Sequence, residues 1–339
     1  MKAIKVIKPG DIQIVEEEMP KITNPHHVLV KVKAAGICGS DISIYKGTSP
    51  VATYPRVIGH EFAGEVVEIG SEVNNVQIGD HVSINPVTSC GTCPACRKGR
   101  SNVCASLAVI GVHRDGGFRE YAVVPENNAI KISKDIPWNQ AGIVEPYTIA
   151  AQVVTRGNIQ SGDNVLILGC GPIALTILQV SKMLGAKCIM SDIVDGRLER
   201  AKEFGADLVI NSVTEDIKEK VMEATNGFGV DVAIDAACVG ITLQQAVACT
   251  GAAGTVVTMG FSDKPSNIPE LAITAKELDI KGSRLNNNMF PKVVEWIESG
   301  KIDNSKIITD SVNFNDVLAG FDKIKNDPEN TLKVILNFD

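Results

Sequence analysis

The chain has no excess of positive charge. Its 33 Lys and Arg stand against 40 Asp and Glu, a formal net charge of -7. The pI near 5.4 argues against a nucleic-acid-binding protein, in which a basic face is expected. The one basic run, Arg97, Lys98 and Arg100, reads as a solvated loop. Long apolar runs are missing too. The stretch Val165 to Val180 is broken by Gly169, Gly171 and Pro172, and falls short of the ~20 residues a membrane span needs. The start, MKAIKVIKPG, has no apolar segment of the length a secretory signal requires. No repeats and no low-complexity segment are present. These absences predict a cytoplasmic protein with neither a nucleic-acid nor a membrane partner. In a reducing compartment its nine cysteines are expected as metal ligands and buried thiols rather than disulfides. What remains is an ordinary globular composition, 44% hydrophobic and 22% charged over 339 residues, a length that suggests about two domains.

Residues 1–150 carry short β-type runs such as Val28–Val32 and Gly64–Ile69. Turn residues at Lys8-Pro9-Gly10, Gly36, Gly39, Gly79-Asp80 and Gly116-Gly117 separate them, and this spacing predicts a compact, barrel-like β fold. From about residue 155 the rhythm becomes βαβα. Strands are expected at Val165–Leu168, Lys187–Ser191, Leu208–Ile210, Val232–Ala236, Thr255–Met259 and Asp279–Lys281, with helices at Ile173–Gly185 and Arg197–Gly205. This alternation implies a parallel sheet covered by helices. A helix around Phe290–Ser299 and a closing strand Leu332–Phe338 complete the tail.

Four cysteines fall within fifteen residues, Cys90, Cys93, Cys96 and Cys104, spaced C-x2-C-x2-C-x7-C. Four thiolates that close in sequence can surround one tetrahedral Zn²⁺ and leave it no open position, a structural site. Pro86 and Gly91 place them in a loop. A redox role for Cys90-x-x-Cys93 is the competing reading, but that motif is expected on a thioredoxin-like βαβ pattern. Cys170, Cys188, Cys238 and Cys249 sit in apolar stretches and read as core residues.

Gly169-Cys170-Gly171-Pro172-Ile173-Ala174 follows a predicted strand and opens a predicted helix, reading G-x-G-x-x-A. The first glycine permits the tight turn, the second lets a pyrophosphate approach the backbone, and Ala174 allows close helix packing. The helix start then offers free N–H groups to the anion. Asp192 follows the next strand, where a carboxylate accepts from the ribose hydroxyls and repels a 2′-phosphate, which favours NAD over NADP. Arg197 could lie against the adenine or be a helix surface residue. The plain alternative for the whole turn is a structural turn in an α/β protein.

A second donor set is scattered more widely: Gly36-Ile37-Cys38-Gly39-Ser40-Asp41, then Gly59-His60-Glu61, then Glu145-Pro146. A Cys, a His and a carboxylate from Glu61 or Glu145 leave room at a metal for a substrate oxygen, the pattern of a catalytic site. Asp41 could accept the second ring N–H of His60. Singly these residues say little; Glu145 before Pro146 equally reads as a helix start. His26 and His27 read as loop residues and His81 as a strand-edge residue. His113, in Gly111-Val112-His113-Arg114-Asp115-Gly116-Gly117-Phe118, belongs either to a structural loop or to a loop that reaches the substrate.

Gly59-His60-Glu61-x2-Gly64-x5-Gly70-x2-Val73 resembles the signature of the zinc-containing medium-chain alcohol dehydrogenases. With the Cys38 motif, the four-cysteine lobe, Glu145-Pro146 and the nucleotide turn, the resemblance covers essentially the whole chain. Glu145-Pro146 stands where simple alcohol dehydrogenases usually place a cysteine ligand, so the chain looks more like the polyol, threonine and sugar-acid branch. Tyr54-Pro55-Arg56-Val57-Ile58-Gly59-His60-Glu61, Ile110-Gly111-Val112-His113, Asp115-Gly116-Gly117-Phe118 and Gly282-Ser283-Arg284 bring it nearer the starvation-sensing and L-galactonate 5-dehydrogenase types. The resemblance implies a GroES-like β-rich catalytic domain (1–150), a Rossmann doubly wound NAD-binding domain (151–289) and a return to the catalytic domain (290–339), with the active site in the cleft between domains. It implies two Zn²⁺ per chain, one on Cys38, His60, Glu61 and Glu145 and one on Cys90, Cys93, Cys96 and Cys104. NAD would lie on Gly169, Gly171, Pro172, Ile173, Asp192 and Arg197. Ser40 would relay a proton beside Asp41, and His113 and Arg284 are candidates for the substrate. The expected activity is NAD-dependent oxidation of a secondary hydroxyl of a polyol or sugar acid, L-galactonate-like, by a homodimer or homotetramer. The alternatives are a threonine-type amino-alcohol dehydrogenase, a zinc-free reductase of the same fold, and a non-catalytic regulatory protein that kept the fold.

Overall fold

A computed structural model describes residues 1–338. The chain forms two compact units, Met1–Pro146 with the tail from Asn286, and Tyr147–Leu285.

The first unit is built on the strand His27–Ile37. Its sequence, HVLVKVKAAGI, alternates apolar and polar residues before turning continuously apolar, and its burial follows the same change. It pairs antiparallel with Glu61–Ile69, with Tyr121–Pro125 and with the closing strand Lys333–Asn337. The sheet continues through His81–Ile84 and Ala129–Lys131 on one side, and through Ile308–Asn313 on the other. A smaller sheet joins Asp11–Glu16, Lys2–Lys8 and Arg56–Val57. Ile4, Ile37, Phe62, Ile84, Phe118 and Val334, all essentially inaccessible, form the core between them. Register matters most for function. Gly36 lies opposite Glu61, and Ile37 opposite Val334. Three strand ends therefore meet at one place: Cys38 just past the first, His60 and Glu61 at the start of the second, and Lys333 at the start of the third.

The second unit is a six-stranded parallel sheet in the order Leu208–Asn211, Lys187–Asp192, Asn164–Leu168, Val230–Asp235, Thr250–Thr258, Asp279–Gly282. The chain leaves its first strand toward one edge and then crosses to the other side, so the direction reverses beside Asn164–Leu168. In such sheets nucleotides bind at that switch point, off the carboxyl ends of the strands. Pro172–Met183 and Asp195–Glu203 are helices as expected, within one or two residues at most ends. The helices Ile217–Ala224, Gly240–Cys249 and Val317–Asn326, and with them Gly39–Tyr45, Val144–Gly157 and Glu270–Thr274, escaped the sequence reading. The first buries only Ile217 and Val221, too short a stripe for periodicity to register. The four-cysteine segment is also not wholly a loop: Pro94–Arg97 is a short helix with Pro94 at its first position, where a missing N–H costs nothing. Among the described residues no helix is long and apolar enough to cross a membrane.

Candidate metal centres and nucleotide turn

The loop after His27–Ile37 turns directly into the helix Gly39–Tyr45, with Cys38 as the residue before it. Asp41 sits in the first helical turn and is fully buried. Its Oδ2 accepts from Cys38 N at 2.9 Å and its Oδ1 from Gly59 N at 3.1 Å, so one carboxylate ties the Cys38 loop to the His60 loop. Asp41 is not the ring partner expected of it. Its Oδ1 lies 3.8 Å from His60 Nδ1, too far for a hydrogen bond, because both oxygens are already spent on backbone N–H groups. Gly59 adopts φ +91°, and a Cβ there would overlap the Phe118 ring. This left-handed glycine sends the chain from the core strand into His60.

Cys38 Sγ, a ring nitrogen of His60 and a Glu61 oxygen all lie within 4.8 Å of one another. Ser40 Oγ stands 3.5 Å from His60 Nε2. Gly36 faces Glu61 across the sheet, and any Cβ at that position would overlap Glu61 Oε2. The glycine thus makes the cradle in which the carboxylate lies. Glu145, in the first turn of Val144–Gly157, is buried, and its charge acts on His60. Burial pushes its carboxyl up to about 7, with His60 opposing the shift and Glu61 adding to it. Burial alone would lower the pKa of His60, but the Cys38 thiolate first, then Asp41 and Glu145, hold it well above the ordinary histidine value. Burial likewise raises Asp41, against His60 and the two N–H bonds. So many buried negative donors around one imidazole call for a cation. A divalent metal answers them as a proton does, and binding it requires that proton to leave. His60 Nδ1 and Glu61 Oε2 are buried without hydrogen-bond partners. Unpaired buried donors of these types fit a Zn²⁺ site of mixed sulfur, nitrogen and oxygen ligands.

One participant had no signal in the sequence. Lys333, at the start of the closing strand, places Nζ 2.7 Å from Glu61 Oε1, and the two side chains are 4% and 1% exposed. Nothing in the local sequence Leu332–Phe338 marks a lysine as part of a site. Only the register that brings the tail beside His27–Ile37 does so.

The second cluster lies in the short helical lobe. Sγ separations are 3.4 Å for Cys90–Cys104, 3.5 Å for Cys93–Cys96 and 3.9 Å for Cys93–Cys104, far outside disulfide bonding. All nine cysteines of the chain are free thiols. The N–H groups of Thr92 and Cys93 point at Cys90 Sγ, and that of Cys90 at Cys104 Sγ. Those donors, Thr92 first, bring the Cys90 thiol down to about 5, whereas burial and the neighbouring thiols push Cys96 up to about 11. Four sulfurs in this space release their protons together only to a cation, which is the chemistry of a closed tetrathiolate site. A dithiol redox pair would need neither the third sulfur nor the fourth.

In the second unit Gly169 adopts φ +98° and Gly171 precedes the helix Pro172–Met183. Space is open where a Gly171 side chain would be, as close approach of a pyrophosphate demands. Cys170 between them is buried, and burial pushes its thiol up to about 12, away from the reactive thiolate form. Ile173 is the second residue of the helix, its carbonyl accepting from Thr176 Oγ1 at 2.8 Å. The strand runs through Asp192, whose Oδ2 accepts from Cys170 N at 2.7 Å and whose Oδ1 accepts from Ile193 N at 2.8 Å. A cavity of about 620 Å³ opens beside them, lined by Gly169, Gly171, Asp192, Arg197, Ser212 and Thr242 among others. His113 Nδ1 accepts from Val109 N at 3.2 Å, within its own turn. Arg284 lies over the ring of Phe261, 5.1 Å from its centroid. His81 stacks on Trp138 at 4.0 Å between centroids.

Residues 24–134 match the alcohol dehydrogenase GroES-like domain and residues 172–299 the zinc-binding dehydrogenase domain. The chain belongs to the zinc-binding medium-chain alcohol dehydrogenase family. It is 46% identical to the starvation-sensing protein RspB of Escherichia coli K12 over all of this chain and 99% of that protein. The crystal structure of the alcohol dehydrogenase rspB from E. coli CFT073, complexed with NADH, superposes with a TM-score of 0.95 at 44% identity, covering 100% of this chain and 99% of that one. The L-threonine 3-dehydrogenase of Pyrococcus horikoshii is 40% identical over 95% of this chain and 93% of that protein. The sorbitol dehydrogenase of Bacillus subtilis is 32% identical over 99% and 97%.

Proposed function

We propose that the protein oxidises a secondary hydroxyl of a polyol or sugar acid, L-galactonate-like, with NAD⁺ as the hydride acceptor. The observation that carries this reading is the convergence of Cys38, His60 and Glu61 donor atoms within 4.8 Å, in a family whose members bind zinc. Cys38, His60, Glu61 and Glu145 would hold the catalytic ion, and Cys90, Cys93, Cys96 and Cys104 a structural one. Zinc in the first place supplies Lewis-acid polarisation of the substrate oxygen. Gly169, Gly171, Pro172, Ile173, Asp192 and Arg197 would hold NAD⁺, which would supply the hydride acceptor, and Asp192 would select against a 2′-phosphate.

The chain's own residues do the rest. Asp41 holds the Cys38 and His60 loops in register. Ser40, half-buried beside His60 Nε2, hydrogen-bonds the reacting hydroxyl and passes its proton outward. A carboxylate at Glu145, where simple alcohol dehydrogenases usually place a second cysteine ligand, supports the polyol reading, and sorbitol dehydrogenase is among the relatives. Threonine dehydrogenase is a relative as well and gives the second reading, an amino-alcohol substrate. Free thiols throughout fit a cytoplasmic enzyme, and we infer a homodimer or homotetramer.

The test is NADH absorbance across a panel of polyols, aldonates and L-threonine, beside zinc analysis. Turnover of a polyol or aldonate with about two zinc ions per chain is expected, and Cys38→Ser and His60→Ala should each lose one ion and the activity. Preference for threonine selects the second reading. Normal turnover by both variants with one zinc bound would mean a zinc-free reductase.

A further inference from the structure

In a chain of net charge -7, three lysines gather at one cavity of the first unit. The cavity has a volume of about 280 Å³, and Lys2, Lys31, Lys33, Glu120, Tyr121 and Asn315 are among the residues that line it. The first strand, the core strand His27–Ile37, the strand Tyr121–Pro125 and the tail all meet there. Register brings them together. Lys31 stands opposite Tyr121, and Phe338 N donates to Lys33 O at 3.1 Å. The alternation of the core strand puts Lys31 and Lys33 on one face, with Val32 buried on the other.

The charges at this cavity do not balance. Glu120 is the one acid lining it among the described residues, and its Oε2 already accepts from Lys2 N at 2.6 Å. Lys2 Nζ donates to Asn315 Oδ1 at 3.3 Å. Lys31 and Lys33 are half-buried and form no ion pair or side-chain hydrogen bond with any described residue. Glu65 stands opposite Lys31 on the neighbouring strand, beyond ion-pair distance. Partly desolvated ammonium groups without a counter-charge are unfavourable, and an anion from outside the chain relieves them.

We propose that this cavity binds a small phosphate, its dianion held by Lys2, Lys31 and Lys33. Lysine binds phosphate as a point charge and needs no bidentate geometry. A phosphate monoester carries about -1.5 to -2 charges near pH 7, which matches two unpaired ammonium groups, whereas a single carboxylate answers one of them. The Tyr121 hydroxyl and the Asn313 and Asn315 amides offer hydrogen bonds to a sugar carried on the phosphate. Lys33 precedes Cys38 by five residues of extended strand, roughly 17 Å at the usual rise per residue. The site is therefore separate from the Cys38 centre and does not depend on what that centre does. A ligand here bridges the first strand, the core strand and the tail, and so stabilises the first unit.

The experiment uses the full-length protein with saturating NADH, so that the nucleotide turn is filled, in a phosphate-free buffer at constant ionic strength. Tm is read against the concentration of glucose 6-phosphate, inorganic phosphate, gluconate and glucose, and calorimetric titration gives the stoichiometry. Glucose 6-phosphate should raise Tm saturably, by about 4 °C at a hundredfold excess over Kd, with one molecule bound per chain. Tighter binding of glucose 6-phosphate than of inorganic phosphate supports a monoester site, and equal affinity supports a site for free phosphate. Lys31→Gln/Lys33→Gln should abolish the shift and keep the affinity for NADH, while Lys31→Arg/Lys33→Arg should keep both. A shift of wild-type size in the glutamine variant places the anion elsewhere and overturns the proposal. So does an equal shift with gluconate, or the absence of a saturable shift with either phosphate. If the double glutamine variant does not fold, Lys33→Gln alone decides the matter, with an expected loss of affinity of about tenfold or more; unchanged affinity overturns the proposal.

Discussion

Asp41 and Ser40 are neighbours in one helical turn and do different work. Asp41 spends both oxygens on backbone N–H groups of two loops, so its task is to fix where Cys38 and His60 stand. Ser40 leaves its hydroxyl beside His60 Nε2, at 3.5 Å. Ser40→Ala should therefore keep both zinc ions and NAD⁺ affinity while kcat falls roughly 10²–10⁴-fold, the range for a lost proton-transfer group. Equal kcat in the variant would remove Ser40 from the mechanism. Asp192 is a different kind of residue. Its carboxylate is already oriented by Cys170 and Ile193 N–H groups, so it presents a fixed negative charge beside the nucleotide cavity. Asp192→Ala should weaken NAD⁺ use and narrow the NAD⁺/NADP⁺ ratio of kcat/KM, measured with both dinucleotides. An unchanged ratio would mean that selectivity lies elsewhere in the cavity.

At the scale of elements, the four-cysteine lobe has little core of its own. Its short helix Pro94–Arg97 buries no residue completely, so a metal on the four cysteines would add order there. Cys96→Ser should reduce zinc by about one per chain and lower Tm, with residual activity following the folded fraction. Full zinc and wild-type Tm in a soluble variant would contradict a structural ion. In the second unit, Asp207 clips two adjacent strands by accepting from Cys188 N and from Lys182 at 2.7 Å each. Burial opposes the charge, but the Lys182 and Cys188 bonds outweigh it and lower the carboxyl pKa. A depressed pKa means stability present above the ordinary carboxylate value and lost as pH falls through the folded one. Asp207→Asn should thus cost about 2 °C in Tm at pH 7, the effect of under 1 kcal/mol for a half-exposed pair, and nothing once the solution is acid enough to protonate Asp207. A difference that persists undiminished in acid would rule out the charge as its cause. The elements legible in sequence were those with a strong local pattern: the glycine turn between strand and helix, the cysteine spacing, and the βαβ rhythm that set the fold class. Lys333 and the backbone partners of Asp41 were not legible, because strand register and loop approach bring them to the site from elsewhere in the chain. Of the helices the sequence did not show, Ile217–Ala224 buries only two residues, too short an apolar stripe for periodicity to register.

The chain as a whole divides unevenly between local and distant contacts. Tyr147–Leu285 is one continuous segment. Its sheet is complete within those residues, and its core of Leu166, Leu168, Ile210, Val221, Ala233, Val256 and others comes from the same segment. The other unit has no such independence. Lys333–Asn337 lies between His27–Ile37 and Ile308–Asn313 and pairs with Ala34–Ile37, the part of that strand Tyr121–Pro125 does not cover, so in the first 146 residues alone this apolar half of the strand edge has no partner until the tail arrives. Such an edge invites aggregation. Residues 147–285 expressed alone should therefore give a soluble domain with cooperative thermal unfolding and with NADH binding by fluorescence, since every residue lining the Asp192 cavity is present. Residues 1–146 alone should aggregate, and joining residues 286–339 to them through a short linker should restore solubility and both metal sites except for the weight carried by distant parts of the chain. The comparison is made by size-exclusion chromatography, circular dichroism and zinc content on the three fragments. A monomeric, cooperatively folded 1–146 fragment would show that the closing strand is dispensable for this unit, and with it that Lys333 is added to a sheet already able to stand without it.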